Sequence, residues 1–301
     1  MGENVQTPPY GKGERHTVAL VGAGTMGLAI ARLLAAVGHE LRLFDVRGIT
    51  SPLGDGIVAC DSLASCVEGA DLVLEAIVED LLAKQELLRK IQSLVGPLPI
   101  ASNTSTFRPS QIAEGLEHPE ALLVAHFFNP ADIVPLVELV PGPTTSPVAL
   151  SAIRTLLIGA GKVVVTLNYE IDGFIANRLQ AALIREALYL LREGVASASE
   201  IDTAVTHAIG PRLALAGPFE VMDLGGLDVW TTVTGRLFPL LSNELKTPSE
   251  VRERTVAGDL GFKTGHGFYD YSPDEGSPFE SLEEVLRIGQ TQTEKRPQRD
   301  A

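Results

Sequence analysis

The sequence contains only two cysteines in 301 residues, Cys60 and Cys66. Two thiols cannot build a disulfide framework, and these two lack the spacing of a zinc motif. They suit a reducing compartment, so a cytoplasmic location is expected. Positive charge is also scarce: 24 Lys and Arg stand against 38 Asp and Glu, a formal net charge of −14. Such a chain repels the phosphates of nucleic acid, which is not expected as a partner. Any anionic ligand must instead be held by a local cluster of donors. No uninterrupted apolar stretch reaches the roughly 20 residues of a membrane span. The longest candidate, residues 28–37, contains Arg32 and reads as a buried helix. The first fifteen residues are polar, with Gly and Pro, and lack the apolar stretch of a signal peptide. No membrane partner, internal repeat or metal site is expected.

What is present is an ordinary globular composition, 45% apolar and 21% charged, in a chain long enough for two cores. Short apolar strands are expected at 16–21, 40–45, 71–77, 100–102, 122–125, 134–140 and 162–167. Helices alternate with them at 25–37 and 81–94; in the second, Leu81, Leu82, Leu87, Leu88, Ile91 and Leu94 share one side. Strands alternating with helices imply a mostly parallel, doubly wound α/β sheet of seven or more strands. Near Asn168 the texture changes. Helical stretches follow at 174–192, 199–209 and 218–241. The expected division is an α/β domain over 14–168, an all-helical domain over 169–271 and a polar tail over 272–301. A short helix is expected at 279–288, with the last dozen residues disordered.

The first strand runs into Gly22-Ala23-Gly24-Thr25-Met26-Gly27, and a helix follows. A lone GxGxxG is weak, but strand, loop and helix in that order are the context a Rossmann-type dinucleotide site requires. Gly22 permits the tight turn, Gly24 lets backbone approach a pyrophosphate, and Gly27 lets helix and strand pack closely. The helix N-terminus, with Thr25 and Met26, presents free N–H groups to the phosphates. Asp45 ends the second strand, eighteen residues past Gly27. It suits the ribose hydroxyls and repels a 2′-phosphate, so NAD is expected as cofactor. Arg47, two residues on, keeps NADP open as an alternative.

His126 follows the apolar strand 122–125, at the strand's carboxyl end, where ligands of open α/β sheets gather. Histidine takes and returns a proton near neutrality at modest cost. Glu138 lies among Leu136, Val137, Leu139 and Val140, where a carboxylate needs a partner. Glu138 is expected to orient the His126 imidazole and stabilise its charged form. Five consecutive polar residues, 102–106, read as a helix cap, a hydrogen-bonding rim or both.

These residues resemble the L-3-hydroxyacyl-CoA dehydrogenase family. The matching text is the glycine loop, Glu75-Ala76-Ile77-Val78-Glu79, Ser102-Asn103-Thr104-Ser105, His126-Phe127-Phe128-Asn129-Pro130 with Glu138, Gly173-Phe174-Ile175-Ala176-Asn177-Arg178, Gly217-Pro218-Phe219-Glu220 and Lys263-Thr264-Gly265-His266-Gly267-Phe268-Tyr269. It covers nearly everything from Thr17 to Tyr271. The resemblance implies an NAD-dependent enzyme that oxidises an L-3-hydroxyacyl substrate to the 3-oxo compound, as in fatty acid metabolism. It implies that His126 is the general base and Glu138 its orienting partner, and that Ser105 and Asn177 hold the substrate's oxygens. Glu79, Lys84, Asn103 and Asn129 then fall at the cofactor, and a homodimer forms through the C-terminal domain.

Two departures stand out. Family members carry a helical hairpin, which helps hold coenzyme A, between the ribose-binding acid and the Glu75 strand; here residues 46–74 leave it absent or severely shortened. The stretch 210–218, with Arg212, is more similar to the lambda-crystallin and L-gulonate 3-dehydrogenase branch. There the arginine suits the carboxylate of a free 3-hydroxy acid. Arg212 in a surface ion pair or cap is the plainer alternative. A non-catalytic NAD-binding or crystallin-like protein also stays open. The 3-hydroxyisobutyrate and 6-phosphogluconate dehydrogenases share the plan but place a catalytic lysine on the first helix after the boundary. Residues 174–192 contain none.

Overall fold

The computed structural model describes residues 14–272 and the single position Glu284. The expected tail, apart from Ser272 and Glu284, and the helix expected at 279–288 therefore lie outside the described residues. Two compact units divide between Ala176 and Asn177.

The first unit is built on eight strands: β1 (Thr17–Val21), β2 (Glu40–Phe44), β3 (Ile57–Ala59), β4 (Leu72–Glu75), β5 (Ile100–Ser102), β6 (Leu122–Phe127), β7 (Leu136–Pro141) and β8 (Val163–Thr166). They form one sheet in the order β3-β2-β1-β4-β5-β6-β7-β8. Every pair is parallel except β6 with β7. Helices α1 (Thr25–Ala36), α2 (Leu63–Val67), α3 (Leu81–Val95), α4 (Pro109–Ile112) and α5 (Pro147–Gly159) accompany it. Alternation along β1 sorts the core into two layers. Val18 and Leu20 pack with Ile30 and Leu34 of α1 and Ile153 and Leu157 of α5. Ala19 and Val21 pack with Leu88 and Ile91 of α3 and Cys66 of α2. The inner strands β1, β4, β5 and β6 are buried almost throughout and read as largely apolar runs, as a parallel sheet covered on both faces requires.

The first unit differs from expectation in its short elements, in α5 and in where it ends. Residues 46–71 hold β3 and α2, both too short to leave a periodic signal. The coenzyme A hairpin has no counterpart there. Helix α5 was not anticipated, although Ser146 caps it by accepting from Ala149 N and Pro147 opens it. The unit boundary lies past 168 because residues 169–176 stay with the first unit. Phe174 is buried in its core, and Ile175 N and Ala176 N donate to Glu138.

The second unit contains most of α6 (Ala176–Arg192), then α7 (Ala198–Ala204), α8 (Gly210–Leu215), α9 (Pro218–Gly225), α10 (Leu227–Leu237) and α11 (Ser249–Ala257). One wide turn, Val205–Ile209, joins α7 to α8, and Gly210 N reaches back to Val205 O. Pro211 has no N–H, so the helix loosens into this geometry where an ordinary turn would lack a donor. The single helix expected at 218–241 is interrupted at Gly226, whose φ of 88° is open to glycine.

Candidate active site

The antiparallel pairing of β6 with β7 sets His126 directly opposite Glu138. Opposed residues in such a pair project from the same face, so a separation of twelve in sequence becomes a direct contact. His126 Nδ1 lies 2.9 Å from Glu138 Oε2. Nε2 has no hydrogen-bond partner among the described residues. Phe128 and Phe174 flank the ring, with centroids at 4.5 and 5.3 Å. Glu138 is completely buried. Its second oxygen accepts from Ile175 N at 3.0 Å and Ala176 N at 2.9 Å. Burial raises the pKa of this carboxyl, but the hydrogen bonds from His126, Ala176 and Ile175 outweigh it and hold the group below the usual carboxylate range.

At the same edge of the sheet, the glycine loop is shaped by contacts that exclude a side chain. A Cβ on Gly27 would stand 1.9 Å from Gly22 O, and one on Gly22 would stand 2.4 Å from Ala76 O. At Gly24 nothing lies within 4 Å of that position, so the loop is open there alone of the three. Helix α1 begins with no side-chain cap and no acid in its first turn. Its N–H groups and partial positive charge stand ready for a pyrophosphate. Thr25 is exposed at that terminus, and Met26 packs partly into the core. Asp45 Oδ2 accepts from Ala23 N at 2.9 Å, which ties the acid to the loop. Arg47 binds both oxygens of Asp45, at 3.2 and 3.3 Å. Burial raises the pKa of Asp45, but the Arg47 side chain and two backbone N–H groups hold it lower, so it stays anionic. The residues present fit a dinucleotide without a 2′-phosphate.

Asn103 ties β5 to β6: its N–H donates to Glu75 O, and its Oδ1 accepts from Phe127 N at 3.0 Å. Its side-chain NH₂ has no partner among the described residues. Asn129 is exposed just beyond β6. The polar run 102–106 caps no helix, because the next one, α4, has Arg108 as its N-cap. Thr104 Oγ1 accepts from Phe107 N at 3.1 Å within a turn, and Ser105 and Thr106 stand exposed beside it.

Lys84 departs from the direct cofactor contact expected of it. Lys84 has no exposed surface, and its Nζ lies 2.8 Å from Glu75 Oε1. The buried Glu75 carboxylate needs a counter-ion, so direct contact with the cofactor is closed to this lysine. Glu79 directs one oxygen at the 104–106 turn and the other at Lys84. Sequence reasoning passed over Glu75 as a functional group, although a glutamate ending the apolar strand Leu72–Glu75 asks for a partner as Glu138 does. In the second unit, Asn177 is the second residue of α6, and Arg212 is exposed on α8. Arg212 makes no side-chain hydrogen bond or ion pair among the described residues. Neither the surface pair nor the cap considered for it forms there.

A glycine cradle open at one residue and, at the same edge of the sheet, a histidine steadied by a buried acid point to the class: a nicotinamide-dependent dehydrogenase. The family follows from comparison. The model for the 3-hydroxyacyl-CoA dehydrogenase NAD binding domain matches residues 51–170, and that for the C-terminal domain matches 173–271. The chain belongs to the 3-hydroxyacyl-CoA dehydrogenase family. It is 33% identical over 282 residues to 5-formyl-3-hydroxy-2-methylpyridine 4-carboxylate 5-dehydrogenase of Mesorhizobium japonicum, covering 86% of this chain and 91% of that one. It is 34% identical over 235 residues to lambda-crystallin of Oryctolagus cuniculus, covering 69% and 74%. A crystal structure of a 5-formyl-3-hydroxy-2-methylpyridine 4-carboxylic acid 5-dehydrogenase, described as an NAD+ dependent dismutase, superposes with a TM-score of 0.86 at 29% identity. The match covers 94% of this chain and all of that one. The protein is thus an NAD-dependent dehydrogenase with the lambda-crystallin branch among its relatives.

Proposed function

We propose that this enzyme oxidises a small substrate bearing a free carboxylate, with His126 as general base. The observation that carries the chemistry is the His126–Glu138 contact of 2.9 Å with Nε2 left over. Nδ1–H donates to Glu138, so Nε2 carries the lone pair that takes the substrate's hydroxyl proton. Glu138, held anionic, stabilises the imidazolium as it forms. Bound NAD supplies the hydride acceptor. In the reverse direction the charged ring returns the proton from Nε2. Ser105 and Asn177 hold the substrate's oxygens, and Asn103 and Asn129 face the cofactor.

A free acid is preferred to a coenzyme A thioester for two reasons. The segment between Phe44 and Leu72 contains only a three-residue strand and a five-residue helix, with nothing to replace the coenzyme A hairpin. Arg212, exposed and without a partner among the described residues, suits a carboxylate through two parallel hydrogen bonds. A second reading is favoured by the pyridine 4-carboxylate relative, whose name describes a formyl substrate. A hydrated aldehyde offers His126 the same kind of hydroxyl, and its oxidation yields an acid. The second unit serves a homodimer, and the thiols suit the cytoplasm.

The test is NAD reduction over a panel: L-gulonate, short L-3-hydroxy acids, their coenzyme A thioesters and a formylpyridine carboxylate. Turnover of an acid with loss of binding in Arg212→Ala is expected. Faster turnover of the thioesters, unchanged by Arg212→Ala, would reverse the substrate assignment. His126→Ala should abolish turnover yet bind NADH normally; loss of both together would make the residue structural.

A further inference from the structure

Cys60 and Cys66 are the two thiols of the chain, and the fold brings them together. Cys60 follows β3 directly, and its N–H donates to Leu43 O on β2 at 2.8 Å. Cys66 lies in α2, and its Sγ is 3.2 Å from Arg42 O, one residue back on β2. Both side chains enter the core layer that contains Ala19 and Val21, Cys66 buried and Cys60 half-buried. There the two thiols are in hydrogen-bonding contact. The stretch between them is held by a capping box: Ser65 N donates to Ser62 Oγ at 3.1 Å, and Ser62 N to Ser65 Oγ at 3.3 Å. Burial first, then the neighbouring Cys60, pushes the Cys66 thiol up to about 12, so Cys66 is protonated at neutral pH and inert by itself. Cys60 is the thiol that solvent reaches. The pairing of Leu43 with Ala59 sets Cys60 level with Phe44, one residue before Asp45.

We infer that Cys60 and Cys66 form an oxidisable dithiol, which a hydroperoxide closes to a disulfide and which then loosens the adenosine end of the dinucleotide site. The peroxide oxidises the Cys60 sulfur to a sulfenic acid, and its other oxygen leaves as water. The Cys66 sulfur then attacks the Cys60 sulfur. The S–O bond breaks, and the hydroxyl departs with the Cys66 proton as a second water. Two thiols lose two electrons, and the O–O bond of the peroxide takes them up. Thiols already in contact meet the reach that a disulfide demands. Their proximity offsets the small thiolate fraction of Cys66. A reducing compartment keeps the pair open at rest, and disulfides there are transient and redox-sensing. A sulfur–sulfur bond of about 2.05 Å is shorter than any non-bonded sulfur contact, so one sulfur must move on closure. Cys66 is buried within α2, so the displacement falls on Cys60 and on the end of β2 that its N–H holds. Asp45 stands two residues past Leu43 on that strand end. The effect on the cofactor rests on Asp45 as the ribose-binding acid; the disulfide itself does not.

The test treats the reduced full-length chain with hydrogen peroxide, then denatures and alkylates it. Intact mass should show the loss of two hydrogens and no alkylated cysteine, and a dithiol reductant should restore both thiols. NADH binding to the oxidised chain should weaken by about tenfold, the worth of one hydrogen bond to a charged group, and recover on reduction. In Cys66→Ala, peroxide should stop at an oxidised Cys60, with no cross-link and NADH binding nearly unchanged. Two thiols still free for alkylation after peroxide would overturn the inference. So would a Cys60 sulfinic acid in the wild-type chain, a disulfide between chains, or an intramolecular disulfide that leaves NADH affinity as it was. Asp45→Ala in the reduced chain separates the two readings. If that variant binds NADH as wild type does, the role of Asp45 fails and the cofactor effect with it, whereas the mass measurement still decides the cross-link. Should Cys66→Ala not fold, Cys60→Ser at the half-buried position must abolish the response to peroxide in the same way.

Discussion

The two oxygens of Glu138 face different partners, one the His126 ring and the other the backbone of Ile175 and Ala176. A neutral amide at this position would keep the shape and lose the charge that balances an imidazolium. Glu138→Gln is therefore expected to lower kcat by about 10²- to 10⁴-fold, the usual contribution of general base catalysis. It should leave NADH affinity nearly unchanged. The same residue carries a pH signature. Its pKa in the folded chain lies below the ordinary value, so its ionised form contributes stability that is complete above the unfolded pKa of about 4.3. That contribution is lost as pH falls through the lower folded value. The difference in Tm between wild type and Glu138→Gln should stay constant from about pH 6 to 8 and shrink below about pH 4. A difference that grows toward acid would mean the carboxyl is held protonated.

At the scale of elements, the turn from β1 to α1 separates glycines that shape the fold from the one that admits the ligand. Gly27 lies against Gly22 O, and Gly22 combines a φ of 108° with the approach of Ala76 O. Alanine at either forces backbone to move and should cost at least the roughly 1–3 kcal/mol of an overpacked site. Gly24 has open space where a Cβ would stand. Gly24→Val should leave Tm within a few degrees while weakening NADH binding by tenfold or more, because the side chain occupies the approach of the pyrophosphate. Thermal melts with and without NADH separate the two classes. A Gly27→Ala variant as stable as wild type would contradict the packing described here. The antiparallel step between β6 and β7 has a comparable role. Had these strands paired in parallel, with a crossover between them, His126 and Glu138 would not be directly opposed.

For the whole molecule, the second unit poses a packing problem. Among its described apolar residues only Ile201 and Ala216 are buried, whereas Phe219 is 81% exposed, Leu224 78% and Leu240 70%. So much exposed apolar surface among the described residues supports the homodimer proposed above. With the homodimer proposed above, light scattering should return about twice the chain mass of 32.0 kDa, with little change on dilution to the low micromolar range. Charged substitutions at Phe219 and Leu224 should then release monomer or destabilise the chain; a wild-type protein that runs as a monomer would refute the assignment. Loss of this unit's partner surface is expected to lower Tm without altering the His126–Glu138 contact.

Seven of the eight strands, helices α1 and α3, the glycine turn, Asp45 and the His126–Glu138 pair were legible in the amino-acid sequence. They rest on local rules: period, turn chemistry and the unlikelihood of a carboxylate among leucines and valines without a partner. The short elements β3 and α2 were not legible, because three and five residues carry no periodicity. Only the tertiary structure decided that Lys84 serves Glu75, since the two lie nine residues apart and are joined by the fold of β4 against α3. It also decided that Glu79 faces the 104–106 turn and that the first unit runs on to Ala176. These depend on which buried charges meet across elements. Residue spacing along the chain does not encode that, and the cost of leaving such charges unpaired enforces it once the sheet has closed around them.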